Sequence, residues 1–440
     1  LEYTYNFKNL SKINFIGSFN FWRYKAFLPK VKNIISLGEG GTPIHKAKRL
    51  GKMLKANFLF LKDETRNPTN SFRDRSASLM VSNAVDLNYD TILCATNGNL
   101  GASLAAYCAK TGISCHLIVP KLVDIGKLAQ MLIFDAVIEE HGEIVDEAIK
   151  HAESIAKETG WYQATPELNP LVIEAQKTIA YEVIEQIGAP DWFIISMGSG
   201  GVVYSVWKGF KELKRLGVIE TLPHIVGVQA EKCAPITNAF MKGKNKPHIA
   251  RTKNYTRAWA IMVRNPLYGE LALHAIKESQ GLATIVTDDQ ILEAEQEIAK
   301  REGIFAEPSS AATVAAFKKL LNENIIQKND VVVCLITGSG LKATDVLQAL
   351  TKKKKTAAVG LELSTKEKIL RILCEKDAYG YELWKKLGKV MTRAAVYQHL
   401  NELSKNGLIL NYEKDGRKYF KITRRGIKVL RAFDDLKLLL

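Results

Sequence analysis

Between Phe58 and Thr337 the chain alternates short apolar runs with amphipathic helical stretches, a pattern that few architectures accept. Thr91–Ala95, Cys115–Val119, Trp192–Ser196, Ile225–Val228 and Val331–Ile336 each have the apolar character of a strand buried on both faces. Helical patterns follow, Gly101–Thr111 after the first and Gly201–Leu213 after the third. Strands fed by intervening helices predict the α/β class with doubly wound parallel sheets. Ligands in such folds sit beyond the carboxyl ends of the strands. The glycine clusters fall there: Thr96-Asn97-Gly98-Asn99, Met197-Gly198-Ser199-Gly200-Gly201 and Thr337-Gly338-Ser339-Gly340. One cluster alone says little, since structural turns also collect glycine. Three of them, taken as turns of one sheet, predict a shared small-molecule cleft.

The pattern breaks after Leu350. The sequence divides into a body over 1–350, a basic linker over 351–362 containing Lys352–Lys355, and a module over 363–440. Charge marks the same division. The chain carries +16 overall, and residues 361–440 hold 18 basic against 10 acidic residues, which suits a polyanion-facing surface. Ser364–Cys374 is an amphipathic helix with Ser364 or Thr365 as cap, Gly380–Leu387 a second and Thr392–Ser404 a third. Leu408–Glu413 and Lys418–Thr423 are strand-like around Asp415-Gly416, a hairpin signal, and Arg424–Leu440 reads as a closing helix.

Three helices followed by a hairpin is the winged helix-turn-helix order. Val396-Tyr397-Gln398-His399-Leu400 with Leu403, Gly407-Leu408-Ile409 and the wing resemble winged-helix transcription regulators. Ala395, Val396, Leu400 and Leu403 make the buried face of the third helix, and Thr392, Arg393, Tyr397 and Gln398 point outward to DNA. Arg393 and Gln398 stand about 140° apart around the helix, so they cannot both face one base step. Arg393, near the helix start, is the better base reader, while Arg417 and Lys418 on the wing suit phosphates.

In the body, Leu37–Pro43, Asn67-Pro68-Thr69-Asn70-Ser71-Phe72-Arg73-Asp74-Arg75, Asn169-Pro170 with Glu174–Glu182, Gly303–Ala312 and Thr337–Lys342 follow one another along residues 1–348. Together they resemble threonine synthase, a pyridoxal-phosphate enzyme of the tryptophan-synthase-β-like fold. The resemblance implies that Gly198, Ser199, Gly200 and Gly201 surround the cofactor phosphate, that Asn99 meets the pyridine 3-oxygen and that Thr337 faces the ring nitrogen. It also implies a Schiff-base lysine where this chain has Arg73. An imine needs a deprotonated amine, and a guanidinium with a pKa above ~12 supplies none. Asn70 stands where the family has glycine, Asn97 and Leu100 where its substrate-carboxylate loop tends to have threonine, and Arg257 and Trp259 in a segment usually lined by small residues. The small zinc-ribbon segment with which such synthases often begin is not among these residues.

These departures predict a pocket without catalytic residues, repurposed so that Arg73, Thr96, Asn97 and Gly98 bind a small ligand. The five fixed donors of Arg73 suit a phosphate or carboxylate: an amino acid, a phosphorylated amino acid, a nucleotide, or pyridoxal phosphate held non-covalently. The whole chain then reads as a one-component, homodimeric and cytoplasmic transcription regulator with DNA as partner. The alternatives are an active lyase or synthase using another amine, such as Lys62, with a DNA-binding appendage, or a dimerisation scaffold that binds nothing. Six scattered cysteines without a C-x-x-C pair predict buried free thiols and no metal site, and no apolar run reaches the ~20 residues of a membrane span.

Overall fold

A computed structural model describes Tyr3, Tyr5 and residues 17–121, 123–250, 255–343, 365–388, 392–414, 416–427 and 429–430, the side chain of Arg417 excepted. The chain forms two compact units, Leu1–Thr344 and Asp345–Leu440. The linker over 351–362 and the closing helix beyond 430 lie outside the described residues.

In the first unit the strands are β1 (Ile44–Lys46), β2 (Phe58–Asp63), β3 (Thr91–Ala95), β4 (Ser114–Val119), β5 (Val137–Glu140), β6 (Tyr162–Gln163), β7 (Trp192–Ser196), β8 (His224–Ala230), β9 (Leu282–Val286) and β10 (Val331–Ile336). They form two sheets. One has six strands in the order β1-β2-β10-β7-β8-β9, all parallel except for β1 against β2, and the other has four parallel strands in the order β5-β4-β3-β6. The α/β class with parallel sheets is therefore as the periodicity predicts. Three of the expected strands, β3, β7 and β10, have the expected bounds. The burial of four of five residues in β3 and β7 is the reason their sequences are apolar but for Thr91 and Ser196 at their ends.

One expectation is corrected. The Thr96 turn follows β3 in the four-stranded sheet, whereas the Met197 and Thr337 turns follow β7 and β10 in the six-stranded one. The three turns do not belong to one sheet; they meet across the space between two. Backbone bridges Ser71↔Gly338 and Ala306↔Ser339 join segments there.

Behind this cleft lies a buried ionic network. Arg75 donates from Nε to Glu64 Oε2 at 2.8 Å and from Nη2 to Glu182 Oε2 at 2.8 Å, and Lys62 Nζ lies 2.6 Å from the same Glu182 oxygen. Lys62 also donates to the Thr42 carbonyl at 2.7 Å and to Gln186 Oε1 at 3.1 Å. Five of the six cysteines are buried free thiols; Cys374 is the exception and is exposed. Burial pushes the Cys233 thiol up to about 11 and those of Cys94 and Cys334 up as well, so they are unreactive.

The second unit contains helices Thr365–Glu375, Gly380–Lys386 and Arg393–Lys405 and strands β11 (Ala378–Tyr379), β12 (Ile409–Lys414) and β13 (Arg417–Ile422). The strands form a sheet in the order β11-β13-β12. Lys414 pairs with Arg417, so the wing closes over two residues, and Gly416 takes the positive φ of 70° that such a turn requires. Ile369, Leu373, Leu383, Val396, Leu400, Leu403, Ile409 and Phe420 fill the core. Among the described residues no helix is long and apolar enough to cross a membrane.

Candidate functional site

The cleft of the first unit encloses about 70 Å³. Typical small-molecule sites have roughly 300–1,000 Å³, so the lining side chains leave a narrow cleft. Arg73, Thr96, Asn97, Asn99, Gly198, Ser199, Gly200, Gly201 and Thr337 all line it. Of the expected binding residues only Gly98 is missing: its φ is 136°, and a Cβ there would lie 2.3 Å from the Lys127 Cδ, so its role is to let the backbone pass that side chain.

Met197–Gly201 leads from β7 into the helix Gly201–Arg215. Gly200 has φ 98°, and a Cβ on it would come within 2.8 Å of the Tyr268 carbonyl; Gly198 and Gly201 are similarly close-packed. The first turn of a helix has N–H groups without intrahelical partners. Ser199 Oγ is buried in this loop with no close hydrogen-bond contact, and the Glu167 carboxylate is the group it interacts with. A hydroxyl beside a helix N-terminus is the donor set that an anion needs. The loop thus fits the phosphate of pyridoxal phosphate.

The remainder of the cleft fits that cofactor less well. Asn99 Nδ2 donates to both Glu307 oxygens, at 3.0 and 3.1 Å, and Lys342 Nζ donates to its Oδ1 at 3.3 Å, so both ends of the amide are engaged. Thr337 Oγ1 lies 2.8 Å from Ser310 Oγ. Thr96 Oγ1 accepts from the N–H groups of Gly98 and Gly101 at 3.0 and 3.2 Å, which fixes the turn. Asn97 Nδ2 reaches the Trp259 carbonyl at 3.5 Å. Trp259 itself lines a smaller neighbouring recess, and Arg257 lines neither. Among the described residues no lysine lines the cleft. Lys62, the alternative amine, is fully committed to Glu182, Thr42 and Gln186.

Arg73 opens the helix Arg73–Asp86. Its guanidinium carbon lies 4.8 Å from the centre of the Phe72 ring, and the guanidinium makes no hydrogen bond or ion pair with a described residue. The surface it retains faces the cleft. Burial pushes its pKa down while Glu167 pulls the other way, and a guanidinium remains charged in either case. The Glu167 carboxylate is the anionic neighbour of this cation within the cleft, beyond direct ion-pair distance. Asn70, the residue in the family's glycine position, has φ 60°, a conformation that asparagine tolerates better than most, and its Nδ2 donates to the Thr65 carbonyl at 3.1 Å.

Sequence reasoning missed several members of this site. Glu167 and Tyr268 come from loops without a motif, and Tyr268 forms a wall through hydrogen bonds from its N–H to the Ser199 carbonyl and from its hydroxyl to the Pro166 carbonyl. Glu307 precedes Pro308, a helix-start signal that says nothing of its contact with Asn99. Burial pushes the Lys342 ammonium down to about 8, against the pull of Asp74 and Glu307, and pushes the Asp74 carboxyl up to about 6.

In the second unit Thr392 caps its helix, accepting from the Ala395 N–H at 3.2 Å. Val396, Leu400 and Leu403 are buried and Ala395 is partly so, while Arg393, Tyr397 and Gln398 are exposed. Arg393 does not stand free: its guanidinium lies 4.7 Å from the Tyr381 ring centre and 4.9 Å from that of Trp384. Tyr397 lies over Gly380, where a Cβ would come within 2.3 Å of its ring. Lys418 is exposed on the wing opposite Glu413; the Arg417 backbone closes the wing, and its side chain lies outside the described residues.

Residues 35–338 match the family described as pyridoxal-phosphate dependent enzyme, and residues 369–432 match the PadR-like transcriptional regulator family. The threonine synthase of Methanocaldococcus jannaschii is 40% identical over 359 residues, covering 80% of this chain and 87% of that protein. The threonine synthase of Methanosarcina acetivorans is 38% identical, covering 73% and 80%. Among solved structures, a fungal L-serine ammonia-lyase from Rhizomucor miehei superimposes with a TM-score of 0.61 at 20% identity, over 71% of this chain and 98% of that one, and maize serine racemase with 0.60 at 19%, over 71% and 92%. At such identities these two show the fold alone.

Proposed function

Since the chain belongs to the pyridoxal-phosphate dependent enzyme family, threonine synthase-like in its body and PadR-like in its C-terminal domain, we propose that it is a transcription regulator whose body senses a small anionic ligand. The carrying observation is Arg73, a charged group lining the cleft with no carboxylate at ion-pair distance among the described residues, next to a glycine-rich loop at a helix N-terminus. The ligand classes that satisfy both are a phosphorylated amino acid, an amino acid carboxylate, a nucleotide, or pyridoxal phosphate held without a covalent bond. When bound, pyridoxal phosphate supplies an electron sink for amino-acid chemistry; here the loop would hold its phosphate, and no described lysine lines the cleft to attach it.

Binding to the native state alone raises apparent stability. Inorganic phosphate, pyridoxal phosphate and phosphorylated amino acids, offered singly, should raise the unfolding midpoint with at least one probe. Arg73→Ala should abolish that rise, measured against the variant's own midpoint without ligand. No rise with any probe, or an equal rise in the variant, overturns the reading.

The second domain supplies DNA binding. Arg393 is held by cation–π contacts worth about 0.5–1 kcal/mol at an exposed site. A bidentate base contact gives ~1–3 kcal/mol of discrimination, enough to draw it away from the rings. Arg393→Ala should therefore relax base preference at one position per half-site. Lys418→Ala should weaken all sequences alike and reduce the salt dependence by about one ion. Thr392, Tyr397, Gln398 and Arg417 are the further proposed contacts. Binding series against salt and against single-base variants of the operator separate the two classes; an equal loss on specific and random DNA for Arg393→Ala removes it from base reading. A homodimer is expected, because paired half-sites require two wings, and sedimentation of a monomer at micromolar concentration with DNA present would contradict it.

A further inference from the structure

Three of the chain's eight histidines converge on one carboxylate at the edge of the four-stranded sheet. His116 on β4 stands opposite Val137 on β5, and Glu139 lies two residues further along β5, on the same face. Glu139 Oε2 is 3.2 Å from His116 Nε2, and its Oε1 is 2.7 Å from Nε2 of His151, on the helix Val145–Thr159. His141 follows β5, and its ring stacks on that of His151 with centres 3.9 Å apart and planes 12° from parallel. One ligand atom from each of Glu139, His141 and His151 falls within 4.8 Å of the others.

A carboxylate that needed only a charge partner would be satisfied by one histidine. The stacked pair of imidazoles brings two further nitrogen ligands to the same carboxylate. Around a zinc ion at ~2.1 Å, tetrahedral ligand atoms lie about 3.4 Å apart, so small side-chain rotations that open the 2.7 Å Glu139–His151 contact and draw in the wider ones would bring the three atoms to ligand spacing. The Glu139 and His151 side chains keep 39% and 29% of their surface exposed, which gives an ion an entry path. We propose that Glu139, His141 and His151 bind one divalent cation of the zinc class, with His116 holding the second carboxylate oxygen and a fourth position left to water. Imidazole with carboxylate is the ligand set that zinc and its neighbours share. The expectation of no metal site rested on the cysteines; here the ligands are histidines that no motif spacing connects.

The test uses the full chain stripped by chelator dialysis and titrated with Zn²⁺ against a chromophoric competitor. One Zn²⁺ per chain should bind saturably. His151→Ala and Glu139→Gln should each weaken it at least tenfold, and His116→Ala by a smaller factor, as for a residue that orients a ligand. His274→Ala, at an exposed histidine on another helix, should leave it unchanged. Absence of stoichiometric uptake, or unchanged affinity in both ligand variants, overturns the proposal. Independently of any variant, Co²⁺ added to the parent chain should give the visible spectrum of a nitrogen-liganded ion; the spectrum of aqueous Co²⁺ alone also overturns it.

Discussion

Replacing Arg73 by lysine should convert a protein that takes up no covalent pyridoxal phosphate into one that carries about one label per chain after borohydride reduction. The argument starts from place. Arg73 opens its helix within the cleft that also contains the glycine loop, and a lysine there presents its amine to the same space. The second step is protonation. Burial at this position disfavours a cation, against the pull of Glu167 and Glu307, and a lysine, unlike arginine, has a neutral form within reach. Mass spectrometry of reduced protein reads the result. Label on the parent chain, or none on the variant, would contradict the assignment of this position. No threonine should form even so, because Asn97 reaches across to the Trp259 carbonyl and Asn99 is engaged at both ends.

The second large effect is on stability. Glu182→Ala should destabilise the first unit by ~3–5 kcal/mol, because it leaves Lys62 and Arg75 buried without their shared carboxylate. Burial alone would raise the Glu182 carboxyl, but Arg75 and Lys62 overcome it and hold it down at about 2. A carboxyl lowered in the folded state contributes stability that is complete above the ordinary carboxylate range and is lost as pH falls toward 2. The parent should therefore lose stability between about pH 4.5 and 2, and the variant should lose less over that window. Denaturant midpoints of both proteins across that range measure it; parallel pH profiles would show that the network does not work through Glu182.

The distribution of what the sequence revealed has a physical basis. Strands β3, β7 and β10 were legible because burial on both faces makes their central positions continuously apolar. The turns that follow them were legible because a backbone passing close to its neighbours admits only small residues. Strand order leaves no trace in periodicity, which is why three turns that resemble one sheet's edge come from two sheets. β11 has two residues and shows no alternation, so the third strand of the wing sheet was invisible. Glu167 and Tyr268 reach the cleft from loops whose composition is fixed by nothing local, and the outward stripe that exposed Arg393 could not show the Tyr381 and Trp384 rings beneath it.

That no described lysine lines the cleft has a consequence for signalling on the proposed reading. An enzyme that consumes its ligand reports throughput, since occupancy depends on supply and turnover together. A cleft with no amine to attack the ligand releases it unchanged. Its occupancy then follows concentration, and the response ends at the rate of dissociation. The same change that removes chemistry thus makes the body a gauge that can read a metabolite without depleting it.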